Sequence, residues 1–144
     1  MIYFKKILCP IDYSDCSMNA LGYAVKMAIK DSARLYLMYV ECVFDYGGLK
    51  FGYEGILDPD TVVKMKKKLM DSVPEDVREY ISIETLIAIG IPADEIIKVA
   101  RRKRIDVIVM GTHGRAGISH MVIGSVTEKV IRASPCPVLC IKDN

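Results

Sequence analysis

The sequence predicts an α/β fold with a single open sheet of five parallel strands and helices on both faces. Two apolar runs without alternation, residues 35–40 and 107–110, are typical of strands that helices cover on both sides. The stretches between such runs repeat apolar residues at helical spacing. Strands that alternate with helices indicate a parallel sheet built of right-handed β–α–β units. Because no linker divides the 144 residues, we expect one domain.

The first two predicted strands flank one amphipathic helix. Residues 4–11 are typical of a strand, and residues 12–15 of a turn that caps the helix after it. Asp12 therefore lies at the carboxyl end of a strand. The helix ends near Asp31, and the second strand covers residues 35–43. The apolar positions of this helix share one face: Ala20, Leu21, Ala24, Val25, Ala28 and Ile29.

Residues 44–56 break the pattern with four glycines and several aromatic residues. We predict a mobile loop here, because glycine has a high backbone entropy and the aromatic residues have no periodic partners. Loops that follow the carboxyl ends of parallel strands border the ligand crevice. This loop is therefore either a lid over a ligand or a variable surface loop.

Asp58 and Pro59 supply an N-cap and a first-turn proline for a second helix, which runs to about Ser72. Pro74 marks a break or a restart. Residues 81–87 partly alternate between apolar and polar, which favours a strand at the edge of the sheet.

A third helix follows, with Ile96, Ile97 and Ala100 facing the core, and leads into the strand at residues 107–110. The fourth helix begins at Gly124 and Ser125, with apolar residues at Val126, Val130 and Ile131. Residues 138–141 form the fifth strand, which is the last.

The composition argues against several classes of function. A net charge of +2 is too small to indicate nucleic-acid binding, and the basic runs at residues 64–68 and 101–104 fall on predicted helices as solvated faces. No run reaches the ~18 apolar residues of a membrane helix, and the N-terminus lacks the pattern of a signal peptide. We therefore expect a cytoplasmic protein that binds neither nucleic acid nor membrane.

The cysteines and histidines do not predict a metal site. The cysteines are odd in number, lack a C-x-x-C pair and mostly lie in or beside apolar runs, which favours buried free thiols over zinc ligands or disulfides. They are Cys9, Cys16, Cys42, Cys136 and Cys140. His113 and His120 lack the spacing of a metal pair and fall in a glycine-rich loop.

That loop follows the strand at residues 107–110. Gly111 and Gly114 can adopt positive φ or let a ligand approach the backbone, and Gly124 with Ser125 opens a helix whose first N–H groups attract anions. The spacing G-x2-G-x9-G-S is neither a Walker A motif nor a dinucleotide fingerprint. It indicates a different phosphate-binding loop, although an ordinary glycine-rich connection between strand and helix remains the alternative.

This spacing resembles the signature of the universal stress protein family, in its ATP-binding branch. The resemblance covers the chain from Asp12 to the terminal CPVLCIK and implies the strand order 3-2-1-4-5. In that order the sheet reverses direction between the first and fourth strands, which is where ligands bind outside the carboxyl ends. The resemblance implies that the backbone of Val40 reads adenine and that Asp12 lies against adenine and ribose.

The full set of ATP-binding residues that we predict combines the strand ends with the loop: Pro10, Asp12, Val40, Met110, Gly111, Thr112, Gly114, Arg115, Gly124, Ser125 and Val126. Two of these have ordinary alternatives. Asp12 is a common turn former, and Arg115 can equally be a solvent-facing charge.

Two functions fit this site, and we assign no catalytic residue. The first is a nucleotide-dependent regulator in the stress response, and the second is a slow ATPase or phosphoryl-transfer enzyme. We favour the regulator, because a cradle made mainly of backbone N–H groups suffices for binding but lacks the positioned cations of phosphoryl transfer. ATP can bring a divalent ion, Mg²⁺ or Mn²⁺, for which the sequence offers no protein ligand. The downstream protein partner is unknown.

The last strand predicts a homodimer. Val138, Leu139, Cys140 and Ile141 form an apolar edge strand without an interior charge. An exposed apolar edge is a liability unless it is covered, and antiparallel pairing of two copies would cover both edges. The alternative is a monomer in which the chain shields its own edge.

Overall fold

A computed structural model of the chain describes residues 1–46, 49–52, 57–114 and 123–143, with the backbone alone at residues 44–46 and 49–52. The strands within these ranges are β1 Lys6–Pro10, β2 Arg34–Tyr46, β3 Leu49–Gly52, β4 Ser82–Gly90, β5 Val107–Gly111 and β6 Val138–Ile141. The helices are α1 Asp15–Asp31, α2 Pro59–Asp71, α3 Glu75–Arg78, α4 Pro92–Lys103 and α5 Ser125–Ala133.

Five of the strands form a parallel sheet in the spatial order β4, β2, β1, β5, β6. This confirms the predicted order 3-2-1-4-5, and β4 occupies the predicted edge position. At the centre, Lys6 of β1 pairs with Arg34 of β2, and Ile7 pairs with Val107 of β5. The order therefore reverses between β1 and β5, and the crevice at a reversal point opens at the carboxyl ends of these strands.

The predicted loop at residues 44–56 contains regular structure that sequence reasoning missed. β2 continues to Tyr46, beyond the predicted end at Val43, and β3 pairs with it antiparallel, with Tyr46 opposite Leu49. The spacing of apolar residues gave no sign of this hairpin. The hairpin is defined by hydrogen bonding between two backbones, which side-chain periodicity does not report. Residues 47–48 and 53–56, on which the remainder of the lid prediction rests, lie outside the described part of the chain.

The core has two layers, one on each face of the sheet. Side chains of each central strand alternate between the layers: Ile7 and Cys9 pack on the α1 and α2 side, whereas Leu8 packs on the α4 and α5 side. All three are completely buried. The apolar runs are therefore covered on both faces, as predicted. Two helical positions of the predicted apolar faces are instead exposed, Ile29 at 43% and Ile131 at 45%, because each lies at the edge of its helical stripe.

Two predicted helix starts are confirmed by their caps. Ser14 caps α1 by accepting a hydrogen bond from the backbone N–H of Ser17, and Asp58 caps α2 by accepting one from Thr61. Hydrogen bonds from Thr61 also lower the pKa of the Asp58 carboxyl. Pro74 marks a restart, since it precedes the short α3. No helix among the described residues is long and apolar enough to span a membrane.

Candidate functional site

The crevice lies where β1 and β5 end side by side. Pro10 is the last residue of β1 and pairs with Met38, and the next residue, Ile11, donates its N–H to the carbonyl of Met38 at 2.8 Å. Met110 is buried near the end of β5, on the layer that packs against α4 and α5. The two strand ends bring Asp12, after β1, and the loop after Gly111 to the same end of the sheet.

Asp12 divides its carboxylate between the turn and the crevice. Its Oδ1 accepts the backbone N–H of Ser14 at 2.9 Å and also the Ser14 hydroxyl. Its Oδ2 faces Gly114, since a Cβ added to Gly114 would lie 2.8 Å from that oxygen. One oxygen of Asp12 therefore forms the turn, which is the role that the sequence offered as an alternative to ligand binding. The other oxygen borders the glycine loop.

Gly111 is a packing glycine. A Cβ at this position would lie 2.7 Å from Sγ of Cys16 and 2.9 Å from the backbone carbonyl carbon of the same residue. Both distances are shorter than a carbon atom tolerates, so only glycine lets the first turn of α1 approach the end of β5 this closely. The Cys16 thiol also donates to the carbonyl of Ile141 at 3.3 Å. This arrangement fixes the start of α1 beside the crevice.

The loop after Gly111 begins with a buried threonine. Thr112 is 3% exposed, and its hydroxyl lies 2.9 Å from Nδ1 of His113. Its N–H donates to the carbonyl of Ile141 and its carbonyl accepts the N–H of Gly124 at 2.7 Å. The Thr112 backbone therefore joins β6 to the start of α5. Nε2 of His113 is buried without a hydrogen-bond partner in the described part of the chain.

Two hydrogen bonds hold the start of α5 against the end of β5. The first is the bond from Gly124 to Thr112, and the second runs from the hydroxyl of Thr127 to the carbonyl of Gly111 at 2.8 Å. Gly124 occupies the N-cap position with no side-chain cap hydrogen bond. The first N–H groups of a helix have no intrahelical partner, so the first turn of α5 can donate to a ligand. Ser125, which is exposed, begins that turn.

Thr127 is a site-supporting residue that sequence reasoning missed. The sequence did contain a signal for this role: Thr127 lies one turn before the fully buried Val130, on the apolar side of the helix. A hydroxyl buried there requires a hydrogen-bond partner. Val126 is half-buried and packs against the core layer on the α4 and α5 side.

Gly111, Gly114 and Gly124 are not needed for positive φ. Among the described glycines only Gly90 has a positive φ, at 156°, and Gly124 is extended with a φ of −62°. Close approach explains them instead: beside the contacts of Gly111 and Gly114, a Cβ on Gly124 would lie 3.2 Å from the carbonyl oxygen of Thr112. Tight packing is therefore the reason for glycine at these three positions.

Val40 lies on β2 two residues beyond Met38, half-buried and paired with Ala88 of β4. The ladder between β1 and β2 ends at Met38, so Val40 extends past the end of β1 toward the crevice. The structure thus places ten of the eleven predicted residues on or beside the ends of β1 and β5, in the middle of β2 and at the start of α5. The eleventh, Arg115, lies outside the described residues, as does His120.

All five cysteines are free thiols. Cys9 and Cys16 are buried, and complete burial raises the pKa of the Cys9 thiol to about 12. Burial also raises the pKa of Cys42, Cys136 and Cys140, which are half-buried. In the described ranges no three side chains of His, Cys, Asp or Glu gather as they would around a metal ion.

Comparison with known proteins identifies the family. The family model "Universal stress protein family" matches residues 3–142. Universal stress protein MJ0531 from Methanocaldococcus jannaschii is 35% identical over 140 residues, which cover 96% of this chain and 82% of that protein. The solved structure of universal stress protein UspA from Lactobacillus plantarum has a TM-score of 0.79 at 28% identity, covering 99% of this chain and 100% of the other.

A universal stress protein from Archaeoglobus fulgidus, solved in complex with dAMP, has a TM-score of 0.66 at 24% identity and covers 99% of this chain and 100% of the other. At that identity the likeness is one of fold. The match of the family model over nearly the whole length and the 35% identity of a relative show that this chain belongs to the universal stress protein family.

Proposed function

We propose that this protein binds ATP in the crevice between the ends of β1 and β5 and acts as a nucleotide-dependent regulator. One observation carries the proposal: Oδ2 of Asp12 faces Gly114 at the mouth of the crevice, beside a helix start that has no side-chain cap. A carboxylate that can accept from a ribose thus lies next to backbone N–H groups that can donate to phosphates. These are the two chemistries that a nucleotide presents.

The phosphates are assigned to the start of α5. Backbone N–H groups and the positive end of the helix dipole favour an anion there. Gly124 has no side chain and so packs closely against the Thr112 carbonyl, and the exposed hydroxyl of Ser125 adds a donor. The bonds from Gly124 and Thr127 to the end of β5 hold this turn in place before a ligand arrives. Any divalent ion, Mg²⁺ or Mn²⁺, would be bound through the triphosphate oxygens.

The adenine is assigned to the backbone of Val40. Along a strand, the N–H and C=O of alternate residues point to the same edge. The carbonyl of Met38 accepts the N–H of Ile11, so it points to the side of β2 on which β1 lies. The N–H and C=O of Val40 point to that same side, at a level where β1 has already ended. A donor and an acceptor side by side match the edge of adenine, which also presents both. ATP is an intracellular ligand, so this function assigns the protein to the cytoplasm.

The edge strand β6 is proposed as a homodimer interface. β6 ends the sheet beside β5, and its Leu139 is 38% exposed. Two copies that pair antiparallel through Val138–Ile141 would satisfy both edges. In a dimer, nucleotide binding could regulate a partner by changing the surface that the two copies form together.

The decisive experiment measures nucleotide in the purified protein and its fate. Nucleotide extracted from the recombinant protein is identified, and calorimetry then compares ATP with dAMP and GTP. A regulator retains ATP intact over hours of incubation. Steady multiple turnover would identify an ATPase instead, and an absence of ATP binding at millimolar concentration would refute the proposal.

A matched pair of variants tests the role of the carboxylate. Asp12→Asn keeps an oxygen that can accept from Ser14, so the turn survives while the charge is lost. A hydrogen bond to a charged group contributes roughly 1.5–3 kcal/mol, so we expect ATP binding to weaken about ten- to hundredfold. Asp15→Asn, an exposed charge in the first turn of α1, is the control and should leave the affinity unchanged.

A further inference from the structure

The backbone of Tyr13 is strained. Its φ is 65°, in the left-handed region that a bulky aromatic side chain rarely adopts. Such conformations persist only where the surroundings enforce them, and they concentrate at functional sites. Tyr13 stands directly between Asp12, which borders the crevice, and Ser14, which caps α1. The strain therefore lies in the turn that aims the Asp12 carboxylate.

Two side chains from other elements hold the Tyr13 ring. Nζ of Lys68, on α2, lies 4.0 Å from the ring centroid, within the range of a cation–π contact. The ring of Tyr39, on β2, lies 5.6 Å away with a tilt of 38° between the planes. The ring is therefore bounded by an ammonium group and a second aromatic ring.

The backbone of Lys68 is fixed by its neighbour on α2, although the Lys68 side chain itself is exposed. The next residue, Leu69, is completely buried and anchors α2 to the core layer on the α1 side. Its other neighbour, Lys67, pairs with Asp71 at 2.6 Å, whereas within the described ranges Lys68 forms no salt bridge. The ammonium of Lys68 is thus available for the Tyr13 ring.

We propose that Lys68 is a positioning residue for the nucleotide site, acting through Tyr13 on Asp12. The Lys68 contact holds Tyr13 in its left-handed conformation. That conformation keeps Oδ1 of Asp12 on Ser14 and leaves Oδ2 facing Gly114. The inference rests on the proposed ATP function, and it couples α2, on which Lys64 and Lys66 are also exposed, to the ligand.

The test uses three variants at matched positions. Lys68→Met keeps the aliphatic length and removes the charge, Lys68→Arg keeps the cation–π contact, and Lys66→Met removes an exposed charge from the same helix. Calorimetry measures the affinity of each for ATP and for adenosine. We expect Lys68→Met to weaken both ligands by roughly two- to fivefold, the size of one exposed cation–π contact, while the other two variants match the wild type.

The comparison of ligands separates positioning from direct contact. Because Asp12 is assigned to the ribose and adenine side, a positioning role weakens adenosine as much as ATP. A loss confined to ATP would mean that Lys68 contacts phosphate, and this would overturn the inference. Lower stability of Lys68→Met with unchanged affinity would show a structural role only, and would overturn it as well.

An amide spectrum of the nucleotide-free protein supplies a readout that requires no ligand. Lys68→Met should shift the resonances of Asp12, Tyr13 and Ser14, and Lys66→Met should not. Unmoved resonances in Lys68→Met refute the inference even if no nucleotide binds. Failure of the wild type to bind ATP would refute the proposed function, whereas equal ATP affinity in the wild type and Lys68→Met refutes the positioning role alone.

Discussion

Replacing glycine by alanine should have opposite effects at Gly111 and Gly22. At Gly111 the new methyl would lie 2.7 Å from Sγ of Cys16 and 2.9 Å from its backbone carbonyl carbon. At Gly22, an exposed position inside α1, the new methyl would have nothing within 4 Å beyond the backbone of its own helix. The same chemical change therefore meets a crowded contact in one place and open solvent in the other.

The magnitudes follow from these surroundings. Overpacking a tight interior position costs about 1–3 kcal/mol. Alanine in place of glycine inside an exposed helix stabilises by about 0.8–1.0 kcal/mol. We therefore expect the free energies of unfolding of the two variants to differ by about 2–4 kcal/mol, with Gly111→Ala the less stable.

Urea unfolding at constant pH measures this difference. The slope against urea should be the same for both variants, so that the midpoints report stability alone. Adding Cys16→Ala to Gly111→Ala removes the clash with sulfur and should restore part of the loss, since the contact with the backbone carbon at 2.9 Å remains. If Gly111→Ala proves as stable as Gly22→Ala, the packing explanation of this glycine is wrong.

Three further predictions concern the ligand, one thiol and the sheet edge. Ser125→Ala should weaken ATP binding about ten- to hundredfold in calorimetry, and Gly124→Val should weaken it more because its Cβ would crowd the Thr112 carbonyl; unchanged affinity in both folded variants would rule out the phosphate loop. Burial raises the pKa of Cys9 to about 12, so this thiol should resist a thiol reagent at pH 8 until urea unfolds the protein. The free energy of unfolding should fall as the pH rises above 9.0, the ordinary pKa of the thiol, because only the unfolded chain then loses the proton. Rapid labelling of Cys9 in the native protein would contradict this. Leu139→Pro should shift the sedimentation of the protein from dimer to monomer, and a monomeric wild type at micromolar concentration would refute the dimer.

The parallel sheet could be predicted because it depends on long patterns, and its strand order was implied by the family resemblance. Buried strands read as continuous apolar runs, and helices between them require parallel neighbours. The location of the site followed from this order, since the carboxyl ends of β1 and β5 must meet. Asp12 and Gly114 are about 100 residues apart in the chain, yet topology alone predicted that they would lie together.

Local geometry could not be predicted in the same way. The left-handed backbone of Tyr13 depends on contacts from α2 and β2, which no local pattern contains. The roles of the glycines were also hidden, because sequence shows that glycine is present but not whether φ or a close neighbour requires it. Gly111 needs its small size because of Cys16, a residue from another element.

The central position of β1 has a consequence for synthesis. One neighbour of β1 is β5, in which Val107 pairs with Ile7. Val107 is made about 100 residues after Ile7. At about 5–20 residues per second, roughly 5–20 seconds pass on the ribosome before β5 exists. During that interval Ile7, Leu8 and Cys9, all completely buried in the finished protein, have an open strand edge beside them. The nascent chain, and not the folded protein, is therefore the form most exposed to aggregation, and the form for which a chaperone would matter most.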